Sequence, residues 1–516
     1  MYFIGVDLGT NGIKAGIIDE AGRIIGSSYW ETKLISRKPG LMEQDPQDFV
    51  AGTIGIIKEI LEKTEINPVL VTAISIDGQM GGIIGIDAYY GSITGYDMGL
   101  DVRSEKYNAY LHDNYKKFLR TKTCGSPRNL PKILWWKKEY PSVYKKVKKF
   151  VTLNSFVAGN LAGLKSDDAF IDYTLLSFFG LEDIKKLEWS KEFCKILDID
   201  SGKLPMVVEP WKIIGRFTKA AAEGSGLNEG TLIIAGAGDQ PAGLLGAGLV
   251  KPGTLFEVSG SSTLQFIAVD RIVPDNKNGS VMYIPSVIAD TFYAFNYING
   301  GGICLRWFRD NFLKECFEKG GIEKGNILQA IEKNLDKIPA GSEGLIFIPY
   351  FGGRQCPYDN KIRGSWIGLN WGHKLEHLYK SILESIGYDA RAGIDNIKRL
   401  FPNYSFSEIA ISGGGAKSDV WNQIKADITG LVYLKSESFE SNIRGSGILA
   451  GFGSGVIGDM AKVASNIDIV DRSKIFKPDI SNRNVYDSYF NIYRDIFKNT
   501  LNKTFNMIFE KTSQDF

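Results

Sequence analysis

Histidine is the scarcest chemically useful residue in this chain, with three in 516 residues, His112, His373 and His377. A histidine base or a histidine-rich metal site therefore has few candidates, and a general base is expected to be a carboxylate. His373 and His377 stand four apart, but no HExxH surrounds them, so they read as surface or capping residues. Cysteine is equally thin. The five (Cys124, Cys194, Cys304, Cys316, Cys356) are odd in number and form no CxxC pair, which argues against structural zinc and for a reducing compartment. Charge of one sign is also missing: 61 basic residues face 59 acidic ones, so no field for a nucleic acid exists. No uncharged apolar run reaches the roughly 18 residues of a membrane helix. The N-terminus enters a strand without a basic leader, so a cytoplasmic protein without a signal peptide is expected.

The length exceeds what one core usually supports, and two domains follow, 1–248 and 249–516, divided at the turn residues Gly248 and Lys251-Pro252-Gly253. Both halves alternate strand and helix patterns, which makes the class α/β with two similar lobes. The first half opens on the apolar strand Tyr2 to Val6, ending at Asp7-Leu8-Gly9-Thr10, and a helix start is written at Asp45-Pro46. Val69 to Ile76 reads as a buried strand running into Asp77-Gly78-Gln79-Met80. Thr231 to Ala235 is another, ending at Gly236-Ala237-Gly238-Asp239-Gln240. In the second half, Gly253 to Ser259 leads into Gly260-Ser261-Ser262, and Ser407 to Ser412 into Gly413-Gly414-Gly415-Ala416, with a helix from about Asp419.

Acidic strand ends beside glycines suit a bound phosphate donor and an alcohol that must lose a proton. The turn at Thr10 and Asn11, with Lys14 beyond it, presents backbone N–H groups to phosphate oxygens, and Asp7 can hold magnesium. Gly260-Ser261-Ser262 is a matching turn in the other half. The glycine run at 413–415 admits a nucleotide without side-chain clash, yet neither GxGxxG nor GxxxxGK[ST] is present.

Taken in order, these motifs resemble the FGGY carbohydrate kinases, the sugar-kinase branch of the two-lobed actin-like ATPase (ribonuclease H-like) fold. The likeness runs through Gly5 to Thr10, Met42-Glu43-Gln44-Asp45-Pro46, Asp77 to Gly82, Asp101-Val102-Arg103, Lys132 to Trp135 and Gly236 to Gln240. It continues through Pro349 to Arg354, Gly364 to Glu384 and Gly413 to Ser418. The resemblance implies ATP and Mg2+ as cofactors and a sugar or sugar-like polyol as substrate, most often a pentulose or hexulose, with a homodimer as a fair expectation. It assigns Asp239 as catalytic base, with Asp7 and Asp239 as metal ligands. Thr10, Asn11, Lys14, Gly260, Ser261, Ser262, Gly414, Gly415, Ala416 and Ser418 fall on the nucleotide side, and Gln79, Met80, Asp101, Asp239 and Gln240 on the sugar side. Two positions depart from the xylulokinase-like branch: Gly81 stands where a histidine is usual and Gly99 where a tryptophan is. Either the sugar pocket is wider, or other residues make the same contacts. An actin-fold ATPase working as a nucleotide switch is the alternative; it needs neither the GQM nor the DxR loop.

Overall fold

A computed structural model describes residues 1–516 apart from 39, 315–326, 437–439, 468–469, 497–500 and 513–516. Cys316 lies outside the described residues; the other four cysteines are free and buried. Among the described residues, no helix is long and apolar enough to cross a membrane.

The first lobe is built on β1 (Tyr2–Leu8), β2 (Gly12–Asp19), β3 (Ile24–Glu31), helix α1 (Pro46–Thr64) and β4 (Val71–Gly78). After helix α2 (Glu105–Asn114) come β5 (Ile213–Arg216), β6 (Leu232–Gly238) and α3 (Asp239–Gly246). The strands form one sheet in the order β5-β6-β4-β1-β2-β3, with β1, β4 and β6 parallel. Helix α1 starts where the sequence says it should: Asp45 accepts from the Gln47 N–H, and Pro46 needs no donor. Its face of Phe49, Ile56, Ile57, Ile60 and Leu61 is buried, each side chain contributing about 1.5–3 kcal/mol against exposure.

The second lobe repeats the plan. Strands β7 (Leu255–Ser259), β8 (Thr263–Val269), β9 (Met282–Pro285) and β10 (Phe292–Ile298) precede helices α4 (Gly302–Phe312) and α5 (Leu375–Leu400). Then follow β11 (Glu408–Ser412), α6 (Asp419–Thr429), β12 (Val432–Ser436), α7 (Ser441–Gly453) and β13 (Val470–Phe476). The sheet order is β9-β10-β8-β7-β11-β12-β13. Strand β7 pairs antiparallel with β8 and parallel with β11, as β1 does with β2 and β4. The duplication is thus one of topology.

Three sequence expectations need correction. Val69 and Leu70 are exposed at 71% and 46% and belong to a 3-10 turn capped by Asn67, so the strand starts at Val71. Asp239 is not the last residue of a strand but the first of helix α3. Helix α7, late in the chain, does not stay with the second sheet; it lies on β1 and α3 of the first. A Cβ on Gly5 would fall 2.0 Å from the Ile443 carbonyl oxygen, and one on Gly445 would fall 1.8 Å from that of Ala242, so only glycine permits this approach.

Candidate active site

The parallel strands of the first sheet end in carboxylates. Asp7 on β1 stands in register with Asp77 on β4, and Gly78 with Gly238, the residue before Asp239. A bulge in β6 aims the third carboxylate. Gly236 has φ +86°, and a Cβ there would meet the Ile76 carbonyl oxygen at 2.0 Å. Carboxyl ends of parallel strands are where open α/β sheets bind ligands.

The three acids repel one another. Asp77 is fully buried, and burial followed by the charges of Asp7 and Asp239 pushes its pKa well above the usual range. Burial, with the Asp7 charge added, pushes Asp239 up to about 7. Asp7 is raised too, mainly by burial, against the opposing pull of a hydrogen bond shared with Asp77 and of Lys14, its cross-strand partner on β2. Helix α7 supplies two neutral contacts: Ser446 Oγ donates to Asp77 Oδ2 at 2.6 Å, and Asn442 bonds Asp7. Asp77 Oδ1 has no hydrogen-bond partner. Among the described residues no ion pair within 4.0 Å involves Asp7, Asp77 or Asp239. Burial and mutual repulsion thus disfavour the anionic form of all three carboxyls, with Lys14 pulling the other way on Asp7.

The phosphate-side turn is short and braced. Gly9 N–H donates to the Gly12 carbonyl at 3.0 Å, and Asn11 is exposed at its tip with Lys14 exposed beyond it. Gln44, buried to 1%, donates to the Thr10 carbonyl at 3.1 Å. Thr10 Oγ1 donates to Gln79 Oε1 at 3.3 Å, which ties this turn to the loop after β4.

In the second lobe the turn Gly260-Ser261-Ser262 closes in the same way, Gly260 N–H donating to the Ser262 carbonyl at 2.9 Å. The start of α4 packs on it, with Gly302 and Ile303 N–H groups donating to the Gly260 and Ser261 carbonyls. That glycine run, 300–302, was passed over in the sequence although it immediately precedes a helix. A cavity of about 270 Å³ opens beside it, bounded by Leu305, Leu328, Tyr379, Trp421, Gly414, Gly415 and Ser418. A Cβ on Gly414 would face open space, whereas Ala416 is buried. Ser418 caps α6 through Trp421 N–H and donates to Glu332, so its hydroxyl is already engaged. Apolar walls with a glycine edge suit a nucleoside.

Sugar-side expectations divide. Gln79 is buried between the hairpin and Gln44, accepting from Thr10 and donating to Gln44, and Gln240 is half-buried at the start of α3 beside Asp239. Met80 is buried, and a Cβ on Gly238 would meet its Cγ at 2.9 Å, so it packs against the residue before Asp239. Asp101 is a correction. Its carboxylate accepts from Met42 N–H and from the Arg103 backbone and guanidinium, with Arg103 also paired to Glu43 at 2.8 Å and stacked over Trp135. Asp101 thus holds the loop rather than facing a substrate. The histidines behave as expected, His377 capping the start of α5 through Lys374 N–H.

The sequence reading missed Asp77, whose motif it noted without giving the carboxylate a role, and Ser446 and Asn442, which no local pattern marks.

The N-terminal domain of the FGGY family of carbohydrate kinases matches residues 2–246, and its C-terminal domain matches 258–454. The chain belongs to the FGGY family of carbohydrate kinases. It is 28% identical over 511 residues to a xylulose kinase of Bacillus subtilis (strain 168), covering 97% of both chains. It is 27% identical to a gluconokinase of Bacillus licheniformis, covering 91% of each. The crystal structure of a ligand-bound xylulose kinase from Lactobacillus acidophilus superposes with a TM-score of 0.87 at 24% identity, over 98% of this chain and 99% of that one, which fixes the two-lobed actin-like fold. This FGGY kinase therefore transfers phosphate from ATP to a hydroxyl of a sugar or polyol, and the switch alternative is not favoured.

Proposed function

We propose that Asp239 takes the proton from the acceptor hydroxyl while the nucleotide phosphates lie over the Thr10 turn and Gly260-Ser261-Ser262. The observation that carries this reading is the cluster of three raised carboxyls, Asp7, Asp77 and Asp239, at the mouth of the first sheet. A base with a pKa of about 7 is matched to neutral pH, where half of it is ready to accept a proton. In-line phosphoryl transfer asks the protein for positioning and charge neutralisation rather than covalent chemistry.

Among the described residues no group of three or more His, Cys, Asp or Glu side chains gathers closely enough to hold a metal alone. The unpartnered Asp77 Oδ1 and the mutual repulsion of the acids nonetheless fit a divalent cation whose remaining ligands are phosphate oxygens and water. Asp7 and Asp239 would hold magnesium, which when bound neutralises charge on the phosphates. Asp77, deeper and fixed by Ser446, orients Asp7 from behind. Gln79 and Gln240 grip acceptor hydroxyls, and Gly414, Gly415 and Ala416 flank the nucleoside. The bodies that close on the substrates are residues 1–248 with α7, and the rest of 249–516.

The test is product identity. With ATP, magnesium and a panel of ketoses, alditols and sugar acids, at least one acceptor should yield a phosphosugar and ADP in equal amounts. Slow release of inorganic phosphate that no acceptor accelerates would contradict the reading.

A further inference from the structure

Gly81 and Gly99 lie against each other. A Cβ on Gly81 would sit 3.6 Å from the Gly99 Cα, and one on Gly99 would meet only the Gly81 carbonyl oxygen, at 3.4 Å. The gap is not simply open. The same Gly81 Cβ would lie 3.6 Å from Cβ and 3.8 Å from Cγ of Arg128, whose stem passes over it. This place adjoins the base: Tyr96 donates to the Gly81 carbonyl at 3.2 Å and feels the Asp239 charge, and Met80 packs on Gly238.

Arg128 is half-buried, and its one side-chain partner is neutral: Nη2 donates to Gln355 Oε1 of the second lobe at 3.2 Å. Among the described residues no carboxylate lies within ion-pair distance of it. Both acids on the wall it shares are engaged elsewhere, Asp101 by Arg103 and Glu105 by Asn108 and the Tyr358 hydroxyl. Arg103 in the same lobe shows the contrast, with Asp101, Glu43 and Asp97 all on its guanidinium. Positive potential at this end is also felt by His112, stacked on Tyr358 at 4.0 Å. Burial, with Arg128, Lys116 and Arg120, lowers its pKa to about 4.

We infer that Arg128 is a specificity-determining residue that receives a carboxylate at the end of the acceptor remote from Asp239, so that the preferred substrate is a sugar acid. A planar guanidinium with unused donors matches a carboxylate through two parallel hydrogen bonds, which a hydroxyl cannot supply. Small residues at 81 and 99 leave room for the stem of Arg128 and for the acid group. The inference rests on the kinase reading above and narrows its acceptor.

The experiment pairs acids with neutral counterparts, D-gluconate with D-glucitol and D-galactonate with galactitol, alongside D-xylulose and D-ribulose. Both kcat/KM with ATP and calorimetric binding without ATP are measured for wild type, Arg128→Gln and Arg128→Lys. An acid should be the best acceptor. Arg128→Gln should lower its kcat/KM on the order of 10²-fold, mainly through KM, and change neutral acceptors by less than about 3-fold. Arg128→Lys should fall between, since it keeps charge without the fork. A neutral ketose or alditol preferred by wild type, or equal losses for both classes in Arg128→Gln, overturns the inference. If nothing is phosphorylated the kinase reading fails, and the binding arm still decides: acid binding that Arg128→Gln abolishes supports the assignment, and no acid binding overturns it.

Discussion

The first strand of each lobe's hairpin carries an acid, and the two acids are treated in opposite ways. Glu257 on β7 is fully buried, and Lys425 of α6 reaches it at 2.6 Å. Ser259, Gln265 and Tyr433 complete its shell. Asp7 on β1 has Asp77 for a neighbour instead, with Asp239 close by and, among the described residues, Lys14 acting on it only beyond ion-pair distance. A buried acid completed by its own lobe is architecture. One left incomplete next to two others is held in an unfavourable state by the rest of the fold, and only a ligand relieves it.

The largest effect that probes this difference is on turnover. Asp239→Asn keeps shape but accepts no proton, so phosphosugar formation should drop on the order of 10²–10⁴-fold while nucleotide binding persists. Steady-state rates beside nucleotide titrations measure it, and near wild-type turnover would remove Asp239 from the chemistry.

Stability should respond the other way round. Lys425→Met strands the Glu257 charge and should cost about 3–5 kcal/mol in denaturant unfolding. Asp77→Asn replaces a carboxyl whose anionic form burial and its acidic neighbours already disfavour, and it keeps an acceptor for Ser446, so unliganded protein should be no less stable than wild type while losing activity. A large loss of stability in Asp77→Asn would make the acid cluster structural too.

The pH dependence has a definite sign. Because the folded pKa of Asp239 is raised to about 7, above its unfolded value of about 3.9, the folded state binds more protons between them. Its contribution to unliganded stability is therefore greatest at low pH and is lost as pH rises toward 7. Thermal midpoints at pH 5.5 and 8 should differ less in Asp239→Asn than in wild type. Activity runs oppositely, with kcat/KM falling below about pH 7 as the base becomes protonated. The smallest effect concerns the braced hairpin. Thr10→Val removes one hydrogen bond to Gln79, about 1 kcal/mol, and should raise KM for ATP a few-fold with the fold unchanged.

Much of this was written locally. An apolar run closed by Asp and Gly marks β1 and β6 with their carboxylates, and Asp45-Pro46 marks α1, because caps and turns depend on residues within a few positions. The pairings that complete the site were not legible. Ser446 reaches Asp77 across 369 positions and Arg128 reaches Gln355 across 227, and no periodicity encodes such contacts. Val69 and Leu70 misled because hydrophobicity alone does not separate a strand from the exposed turn that enters it. Asp101 read as a sugar-side candidate, or with Arg103 as a structural pair, because a motif shows which residues are present, not that Met42 and Glu43 already satisfy them.

The central claim is that Asp7, Asp77 and Asp239 form a centre completed only by a cation and phosphates. Proton exchange on binding tests it most directly. A non-hydrolysable ATP analogue with saturating magnesium is titrated at pH 7 by calorimetry in buffers of differing ionisation enthalpy, against wild type, Asp7→Asn and Asp239→Asn. Neutralising the cluster must lower the raised carboxyl pKa values, so wild type should release protons and both variants should release fewer. Binding heat in wild type that does not change with buffer, or proton release that neither variant reduces, would contradict the account.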